Sequence, residues 1–274
     1  MNILINTKMV KRYTRLGQIL MFSGMAVLVG GMIVNIKMPE MVNLSLGGLL
    51  LGFLLSQVGI QISNKWARQP RPYEAINKSL KGLGGNYSLY HYTTPASHLL
   101  VGPSGVWVIQ PRYQGGTISY SNGRYRQKGG NMYLKIFGQD GLGRPDLEAQ
   151  AETAKVRNYL SKLLPAEKIP NINAVLAFIH PKATLVQPEG ELPAYPFVTM
   201  DKLKDVVRKS SKGKGGGLTN VQVNELRAAF ENPQTLGPVE KIESPAEPEP
   251  LAAAEVEVEA DGEVMSEPEK AAEE

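Results

Sequence analysis

The sequence contains no cysteine, which excludes disulfide bonds, thiolate metal sites and a cysteine nucleophile. It has three histidines, His91, His98 and His180, and their wide spacing does not suggest a histidine metal cluster. It also lacks any charged residue over two long stretches, residues 17–36 and residues 41–64. The lack of cysteine and the wide spacing of the histidines argue against cysteine-based sites and histidine metal sites. The uncharged stretches indicate how the chain is organised.

The two uncharged stretches predict transmembrane helices at residues 17–36 and 41–62. A helix of about 20 residues is roughly 30 Å long, which matches the hydrocarbon core of a bilayer. Pro39 lies in the short link between the stretches and favours a break between two helices there. A buried helical hairpin of a soluble protein is an alternative, but such helices rarely stay uncharged over two spans. A cleaved signal peptide is an alternative for the first stretch, but no small-residue cleavage motif follows it.

Basic residues lie on the outer flanks of both predicted spans. Because positively charged flanks remain on the cytoplasmic side of a membrane, we predict a cell-membrane protein of two helices. Its N-terminal segment, residues 1–16, and everything after the second span are then cytoplasmic. The flanking residues are Lys8, Lys11, Arg12 and Arg15 before the first span and Lys65, Arg68 and Arg71 after the second, with Lys37 alone between the spans.

Small residues recur on one face of the second predicted helix. Gly48, Gly52 and Ser56 are four positions apart, which brings them to the same side of the helix. Small residues at this spacing let two helices approach closely. The partner is either the first helix of the same chain or a second copy of the protein, so a homodimer through these residues is also open.

Charge is divided unevenly along the chain. Residues 1–239 hold 28 Lys and Arg against 13 Asp and Glu, a net charge of +15. Residues 240–274 hold 2 against 13, a net charge of −11. From residue 233 onward the chain is rich in Pro, Glu and Ala, and this composition cannot bury enough surface to fold. We predict that residues 233–274 form a disordered acidic tail, which either increases solubility or competes with phosphate ligands for the basic part.

The segment between the spans and the tail has the pattern of a mixed α/β (α+β) domain. Apolar strand-like runs and helical periodicity over residues 72–210 predict a mixed sheet flanked by helices. Residues 211–232 are predicted to form a flexible loop and a short helix. The predicted helices are residues 73–83, 145–164 and 201–209, and the predicted strands are residues 87–93, 97–101, 106–109, 117–120, 124–126 and 174–179. On the helix that begins at Pro145, the residues predicted to face the sheet are Leu147, Ala151, Ala154, Tyr159 and Leu160.

Residues 97–112 read SHLLVGPSGVWVIQPR, in which two apolar runs flank the turn Gly102-Pro103-Ser104-Gly105. This run resembles the signature of the nuclease-related domain (NERD) family. The family pattern has Asp-His, apolar residues, Gly-Pro-x-Gly, further apolar residues and then Glu-x-Lys. The resemblance extends from about Glu74 to about residue 210, and it implies a fold similar to that of restriction endonucleases.

The resemblance also implies a chemistry, from which this sequence departs. In the family, the Asp and the Glu hold Mg²⁺ and the Lys assists the attacking water. Ser97, Gln110 and Arg112 occupy those three positions here. Neutral oxygens are weak Mg²⁺ ligands, and arginine does not accept a proton near neutral pH. Glu74 remains, although a carboxylate there also suits the start of a helix. We therefore predict a degenerate site without a metal, a cofactor or a catalytic residue.

Two functions of different classes follow from these residues. The first is a degenerate domain at the cytoplasmic face of the membrane that binds nucleic acid or a protein partner. Residues 63–239 carry 23 Lys and Arg against 12 Asp and Glu, and such charge attracts phosphates. It would equally attract anionic lipids. The predicted nucleic-acid-binding residues are Arg112, Arg124, Arg126 and Lys128. Arg124, Arg126 and Lys128, together with Lys135, could form a phosphate-binding edge, for which a solvated hairpin face is the plainer interpretation.

The second function is an active, Mg²⁺-dependent, membrane-bound nuclease with relocated ligands. Its carboxylates would be Glu74 together with Asp146 or Glu148. Two residues beside the degenerate positions, His98 and Trp107, are predicted to be structural. Because neighbours on a strand point to opposite faces, His98 is expected to point away from the side that Ser97 faces.

Overall fold

The computed structural model describes residues 1–129, 141–186, 192–211 and 217–231. Two helices, α1 (Thr7–Lys37) and α2 (Val42–Trp66), form an N-terminal hairpin, with a short 3-10 turn at Pro39–Met41 between them. Both are long and apolar enough to cross a membrane by length and composition. Helix α1 begins ten residues before the predicted span. The predicted acidic tail, residues 233–274, lies outside the described residues.

Small residues form the contact between α1 and α2. The buried positions of α1 include Gly17, Gly24 and Gly31, spaced seven apart. The Gly24 backbone lies against Ser56 and Gly52 of α2, and a Cβ on Gly24 would be 2.5 Å from the Ser56 backbone nitrogen. The hydroxyl of Ser45 donates to the Gly31 carbonyl at 2.8 Å. Because Gly or Ser occupies both sides of this contact, the helix backbones approach closely.

The predicted small-residue face of α2 therefore packs on the first helix. Gly52 and Ser56 contact α1 directly. A Cβ on Gly48 would lie 3.6 Å from the Gly31 Cα, its nearest neighbour on α1. A homodimer through the same residues stays a prediction. Large apolar side chains point outward from both helices, including Phe22, Ile36 and Leu44, as a lipid-facing surface requires.

The N-terminal residues form a strand that the sequence analysis did not anticipate. Strand β1 (Asn2–Ile5) pairs in parallel with β2 (Ser88–His91), and Asn6 N–H donates to the His91 carbonyl at 3.0 Å. The chain thus leaves the sheet, runs out along α1 and returns along α2. This pairing places the N-terminus and the α/β domain on the same side of the hairpin.

Six strands form the main sheet, in the order β1-β2-β3-β4-β7-β9. Strands β2, β3 and β4 are antiparallel neighbours, whereas β7 runs parallel to β4 and to β9. A second sheet has the order β6-β5-β8. The remaining strand bounds are β3 (His98–Gly102), β4 (Gly105–Arg112), β5 (Gly116–Ser121), β6 (Arg124–Lys128), β7 (Ile172–Phe178), β8 (Ala183–Val186) and β9 (Phe197–Thr199).

Helices cover both faces of the main sheet, so the predicted mixed α/β class is confirmed. Alternate residues of the central strands point to opposite faces, and each face has its own apolar cluster. Helices α3 (Pro72–Ser79) and α5 (Leu203–Ser211) cover the face that contains Leu100, Trp107 and Ile109. Helices α4 (Pro145–Leu160) and α6 (Asn220–Glu231) cover the face that contains Leu99 and Val108. Trp107 is a core residue, as predicted.

The predicted inner face of the helix after Pro145 was only partly right. Leu160 is buried, but Leu147 is 50% exposed, and Ala151 and Ala154 are also exposed. The residues that α4 buries include Ala149 and Val156 instead. The face toward the sheet therefore consists of Ala149, Glu152, Val156 and Leu160. Because Glu152 is charged, this face does not show a continuous apolar pattern in the sequence.

Candidate functional site

A cavity of about 220 Å³ lies where β4 ends, between α4 and the last turn of α2. Strand alternation places Gln110 and Arg112 of β4 on the side covered by α4. Ser97 and His98 border the cavity from the start of β3, and Glu148 and Glu152 border it from α4. The other lining residues are Asn64, Lys65, Pro72, Tyr92, Ile109, Pro111 and Tyr113.

The three positions implied by the family resemblance thus meet in one cavity. The structure adds Glu152, which the sequence analysis missed. Ser97 Oγ donates to Glu152 Oε1 at 3.0 Å, while Glu152 Oε2 is buried and has no hydrogen-bond partner among the described residues. Burial raises the pKa of the Glu152 carboxyl, and hydrogen bonds from the hydroxyl and the backbone N–H of Ser97 oppose that rise. Glu152 is therefore an incompletely satisfied carboxylate.

Arg112 is neutralised within the same cavity. Its Nη2 lies 2.8 Å from Glu148 Oε2 and donates to Gln110 Oε1 at 2.9 Å. The Arg112 side chain is only 11% exposed, whereas the Glu148 side chain is 56% exposed. The Arg112 Nε–H is buried without a partner in the described part of the chain. A phosphate that approached the terminal nitrogens of Arg112 would compete with Glu148.

Two buried histidines support the wall of the cavity. His91 Nδ1 and His98 Nδ1 are 2.7 Å apart, and His91 Nε2 lies 2.9 Å from Asn77 Oδ1. Because the Asn77 oxygen accepts, His91 carries its proton on Nε2 and His98 Nδ1 donates to His91. Burial lowers the pKa of His91 to about 4, and burial with the neighbouring His91 lowers the pKa of His98 well below its usual value. Both rings are therefore neutral at physiological pH.

His98 points to the face of the sheet opposite the one that Ser97 faces, as strand alternation predicts. Ser97 Oγ contacts Glu152 of α4, whereas the His98 ring contacts His91, which lies against Asn77 of α3 on the other face. His98 is buried and hydrogen-bonded, which suits a structural histidine.

The relocated ligand set proposed for an active nuclease is not assembled at the cavity. Glu74 lies at the start of α3, where its carboxylate accepts from the Arg71 backbone N–H at 3.3 Å in a capping box. Asp146 pairs with Arg144 at 2.7 Å. Only Glu148 of that set lines the cavity. No group of three His, Asp or Glu residues suited to a metal occurs within the described ranges.

The predicted phosphate-binding residues of β6 form a separate surface. Arg124, Arg126 and Lys128 alternate along the strand and are exposed, while Tyr125 points inward and is buried. They lie opposite Ser121, Ser119 and Thr117 of β5. None of the three forms an ion pair with another residue that the structure describes. A fourth candidate from the same stretch, Lys135, lies outside the described residues.

The raised pKa of Glu152 leads to a pH-dependent stability prediction. A carboxyl whose pKa is higher in the fold than in the unfolded chain destabilises the fold once it ionises, so the penalty appears as pH rises through the raised value. Glu152→Gln should therefore raise the thermal midpoint of the full chain in non-ionic detergent at pH 7. The gain should disappear as pH falls below the usual glutamate range. Exposed Glu167→Gln is the control, and a lower midpoint for Glu152→Gln at pH 7 would contradict the prediction.

The cavity thus combines Ser97, Gln110 and Arg112 with two carboxylates of α4, and the β6 surface adds three exposed cations. Comparison with family models, curated proteins and solved structures finds no match for this chain.

Proposed function

We propose that the protein is a membrane-anchored binding protein whose α/β domain is a catalytically degenerate relative of the nuclease-related domains. Its ligand is nucleic acid, bound through the phosphate backbone. The observation that carries the proposal is the division of the basic residues. Arg112 at the degenerate site is paired with Glu148, whereas Arg124, Arg126 and Lys128 form an exposed cationic row without ion pairs among the described residues.

The order of elements supports the family relationship. Helix α3 precedes three antiparallel strands, β2 to β4, and α4 then leads to β7, which is parallel to β4. This order agrees with the helices and strands that the sequence pattern predicts. The turn at Gly102-Pro103-Ser104-Gly105 closes the β3–β4 hairpin, and Gly105 has a φ of 104° that favours glycine.

The donor set of the cavity does not fit a catalytic Mg²⁺ ion. Mg²⁺ prefers anionic oxygen ligands in octahedral geometry. Ser97 and Gln110 offer neutral oxygens, and the Ser97 hydroxyl is already committed to Glu152. Glu148 is engaged by Arg112. Binding without hydrolysis is therefore the function that these residues support.

An active nuclease stays a second candidate because of one observation. Glu148 and Glu152 are one helical turn apart and line the same cavity as Ser97 and Gln110. This pair differs from the relocated set expected from sequence, and Glu74 has no part in it. The full chain with Mg²⁺ or Mn²⁺ should leave supercoiled and linear DNA intact. Metal-dependent cleavage that disappears in Glu152→Gln would establish the enzyme instead.

The cationic row can be tested with a charge-matched pair of variants. Arg124→Gln with Arg126→Gln and Lys128→Gln should weaken binding of labelled DNA to the full chain in phosphatidylcholine nanodiscs. The slope of log affinity against log salt should fall by about 0.9 for each phosphate that the variant no longer neutralises. The control changes three exposed lysines elsewhere, Lys81, Lys162 and Lys209, to Gln. Equal reductions in affinity in both variants would mean that net charge rather than the β6 surface governs binding.

An acidic protein surface is the other ligand that fits the cationic row. If the full chain binds no DNA or RNA at low salt, the nucleic-acid proposal fails. A partner whose binding is abolished in the β6 variant but kept in the lysine control would then be the protein alternative.

We further propose that both termini and the α/β domain are cytoplasmic. The pairing of β1 with β2 supports placing the N-terminus and the α/β domain on the same side of the membrane. The basic residues that flank the two helices support the cytoplasmic side. A cysteine at Met38 should react with an impermeant reagent in intact cells, whereas one at exposed Lys81 should not. The chain has no cysteine of its own to interfere. Labelling of position 81 in intact cells would reverse the orientation.

A further inference from the structure

The cavity at the end of β4 lies at the expected level of the lipid headgroups. Two of its lining residues, Asn64 and Lys65, belong to the last turn of α2. The uncharged stretch of this helix ends at Asn64. Trp66 follows, and tryptophan is enriched where a membrane meets water. The cavity is therefore built partly from the transmembrane hairpin and partly from the α/β domain.

The charges that border the cavity are balanced, with two of each sign. Lys65 and Arg112 are cationic, and Glu148 and Glu152 are anionic. Glu148 and Arg112 pair with each other. Lys65 forms no ion pair with another described residue. The effect of burial on the pKa of Glu152 is opposed first by the Ser97 hydrogen bonds and then by the longer-range attraction of Lys155 and Lys65. Lys65 and Glu152 thus attract each other at longer range but have no direct ion-pair partner among the described residues, so each can contact a ligand.

Buried polar atoms of opposite character strengthen this requirement. Among the described residues, Glu152 Oε2 is an acceptor without a donor, and Arg112 Nε–H is a donor without an acceptor. Each such atom costs free energy unless it is hydrogen-bonded. A ligand with an acceptor and an N–H donor close together would satisfy both, and a zwitterion would also match the charges of Arg112 and Glu152.

We propose that this cavity binds a phosphoethanolamine headgroup at the membrane surface. Lys65 and the unpartnered Nε–H of Arg112 contact the phosphate, and the ammonium group donates to Glu152. The volume of about 220 Å³ is below the roughly 300–1,000 Å³ of sites for drug-sized ligands, so it suits a headgroup better than a nucleotide chain. This site is separate from the β6 surface and does not depend on the proposed nucleic-acid binding.

The chemistry distinguishes three headgroups of similar size. Phosphocholine has the same charges as phosphoethanolamine, but its quaternary nitrogen has no N–H to donate to Glu152. Phosphoglycerol has the phosphate but no cation. Since a hydrogen bond to a charged group is worth roughly tenfold or more in affinity, phosphatidylethanolamine should be retained about tenfold better than either of the other lipids.

The test uses the full chain in non-ionic detergent, mixed with equal amounts of phosphatidylethanolamine, phosphatidylcholine and phosphatidylglycerol and examined by native mass spectrometry. Phosphatidylethanolamine should be the retained lipid. Glycerophosphoethanolamine, which has the same headgroup but no acyl chains, is then added as a competitor at the same concentration as phosphatidylethanolamine. If it displaces the bound lipid, the site takes a soluble ligand; if it does not, the site takes the headgroup of a lipid. Equal retention of phosphatidylcholine, or preference for phosphatidylglycerol, would overturn the proposal.

Two variants assign the contacts. Glu152→Gln should reduce phosphatidylethanolamine retention to the phosphatidylcholine level, because the amide is uncharged. Lys65→Gln should lower retention of all three phospholipids alike, since each has the phosphate. Exposed Glu167→Gln is the control and should change nothing. If Glu152→Gln keeps the preference for phosphatidylethanolamine, the assignment of the ammonium group is wrong, and the wild-type lipid comparison tests the site even if a variant fails to fold.

Discussion

Replacing Gly59 with leucine should push the two helices of the hairpin apart. The free energy of unfolding should fall by about 2 kcal/mol, which lies within the range expected for overpacking a tight contact. Gly59 is buried on α2. A Cβ at this position would lie 2.3 Å from the Met21 backbone nitrogen and 2.7 Å from the Met21 Cα. Backbone atoms cannot rotate away, so α1 itself must move.

The same helix provides a matched control. Gly47 is exposed, and a Cβ there would meet no heavy atom within 4 Å. Gly47→Leu makes the identical chemical change and should leave stability unchanged or slightly higher. Both variants can be unfolded in mixed micelles with increasing denaturing detergent and followed by circular dichroism. Similar midpoints for the two leucine variants would show that the close approach of α1 and α2 contributes little.

Much of this architecture could be predicted because its signals are local. Uncharged length identified α1 and α2, and spacing of four identified the small-residue face that includes Gly52. The glycine-rich turn between two apolar runs identified the β3–β4 hairpin. Each of these signals reports what a short segment needs in order to bury its apolar face or to turn, and tertiary contacts did not override them.

The strand β1 could not be predicted for the opposite reason. Residues Asn2–Ile5 are a short apolar run with no turn signal, and their partner, β2, lies more than 80 residues along the chain. β1 and β2 meet only because α1 runs away from the sheet and α2 returns to it. A pairing that depends on the lengths of the two intervening helices leaves no pattern in the residues of β1 itself.

The candidate site was predicted in part, and the missing part has a physical explanation. The family resemblance grouped Ser97, Gln110 and Arg112, and the structure places all three at one cavity. Glu152 was missed because an amphipathic pattern assigns a carboxylate to the exposed face, which displaced the predicted inner face toward Leu147. A glutamate on the row of α4 that faces the sheet breaks the local pattern, and such breaks concentrate at functional sites.

Trp66 joins the hairpin to the cavity, and removing its ring should have the second large effect. The ring is 8% exposed. It stacks on Tyr13 of α1 at 5.0 Å and packs against Tyr92 at 4.6 Å, and Tyr92 contacts His98 at 4.9 Å. The Trp66 carbonyl also accepts from the Thr14 hydroxyl at 3.2 Å. A continuous aromatic contact therefore runs from the helical hairpin to the wall of the cavity.

Trp66→Ala should cost about 3 kcal/mol or more, as expected when a buried aromatic ring is deleted, and it should loosen the cavity wall as well as the hairpin. Hydrogen exchange can locate the effect, because the Tyr92 N–H donates to the Ser97 carbonyl at 2.9 Å beside the cavity. This amide should exchange faster in Trp66→Ala. Trp66→Phe, which keeps an aromatic ring between Tyr13 and Tyr92, should preserve most of the protection.

Phe53→Ala is the control for deleting an aromatic ring from α2, since Phe53 is 52% exposed on the outer surface of the hairpin. It should leave exchange at Tyr92 unchanged, because Phe53 lies 13 positions before Trp66 on α2 and its side chain is exposed. If Trp66→Ala destabilises the hairpin but Tyr92 stays protected, the two parts are joined by the β1–β2 pairing rather than by the aromatic contact. Loss of protection at Tyr92 in Trp66→Ala but not in Phe53→Ala would mean that packing of α1 against α2 sets the rigidity of the site.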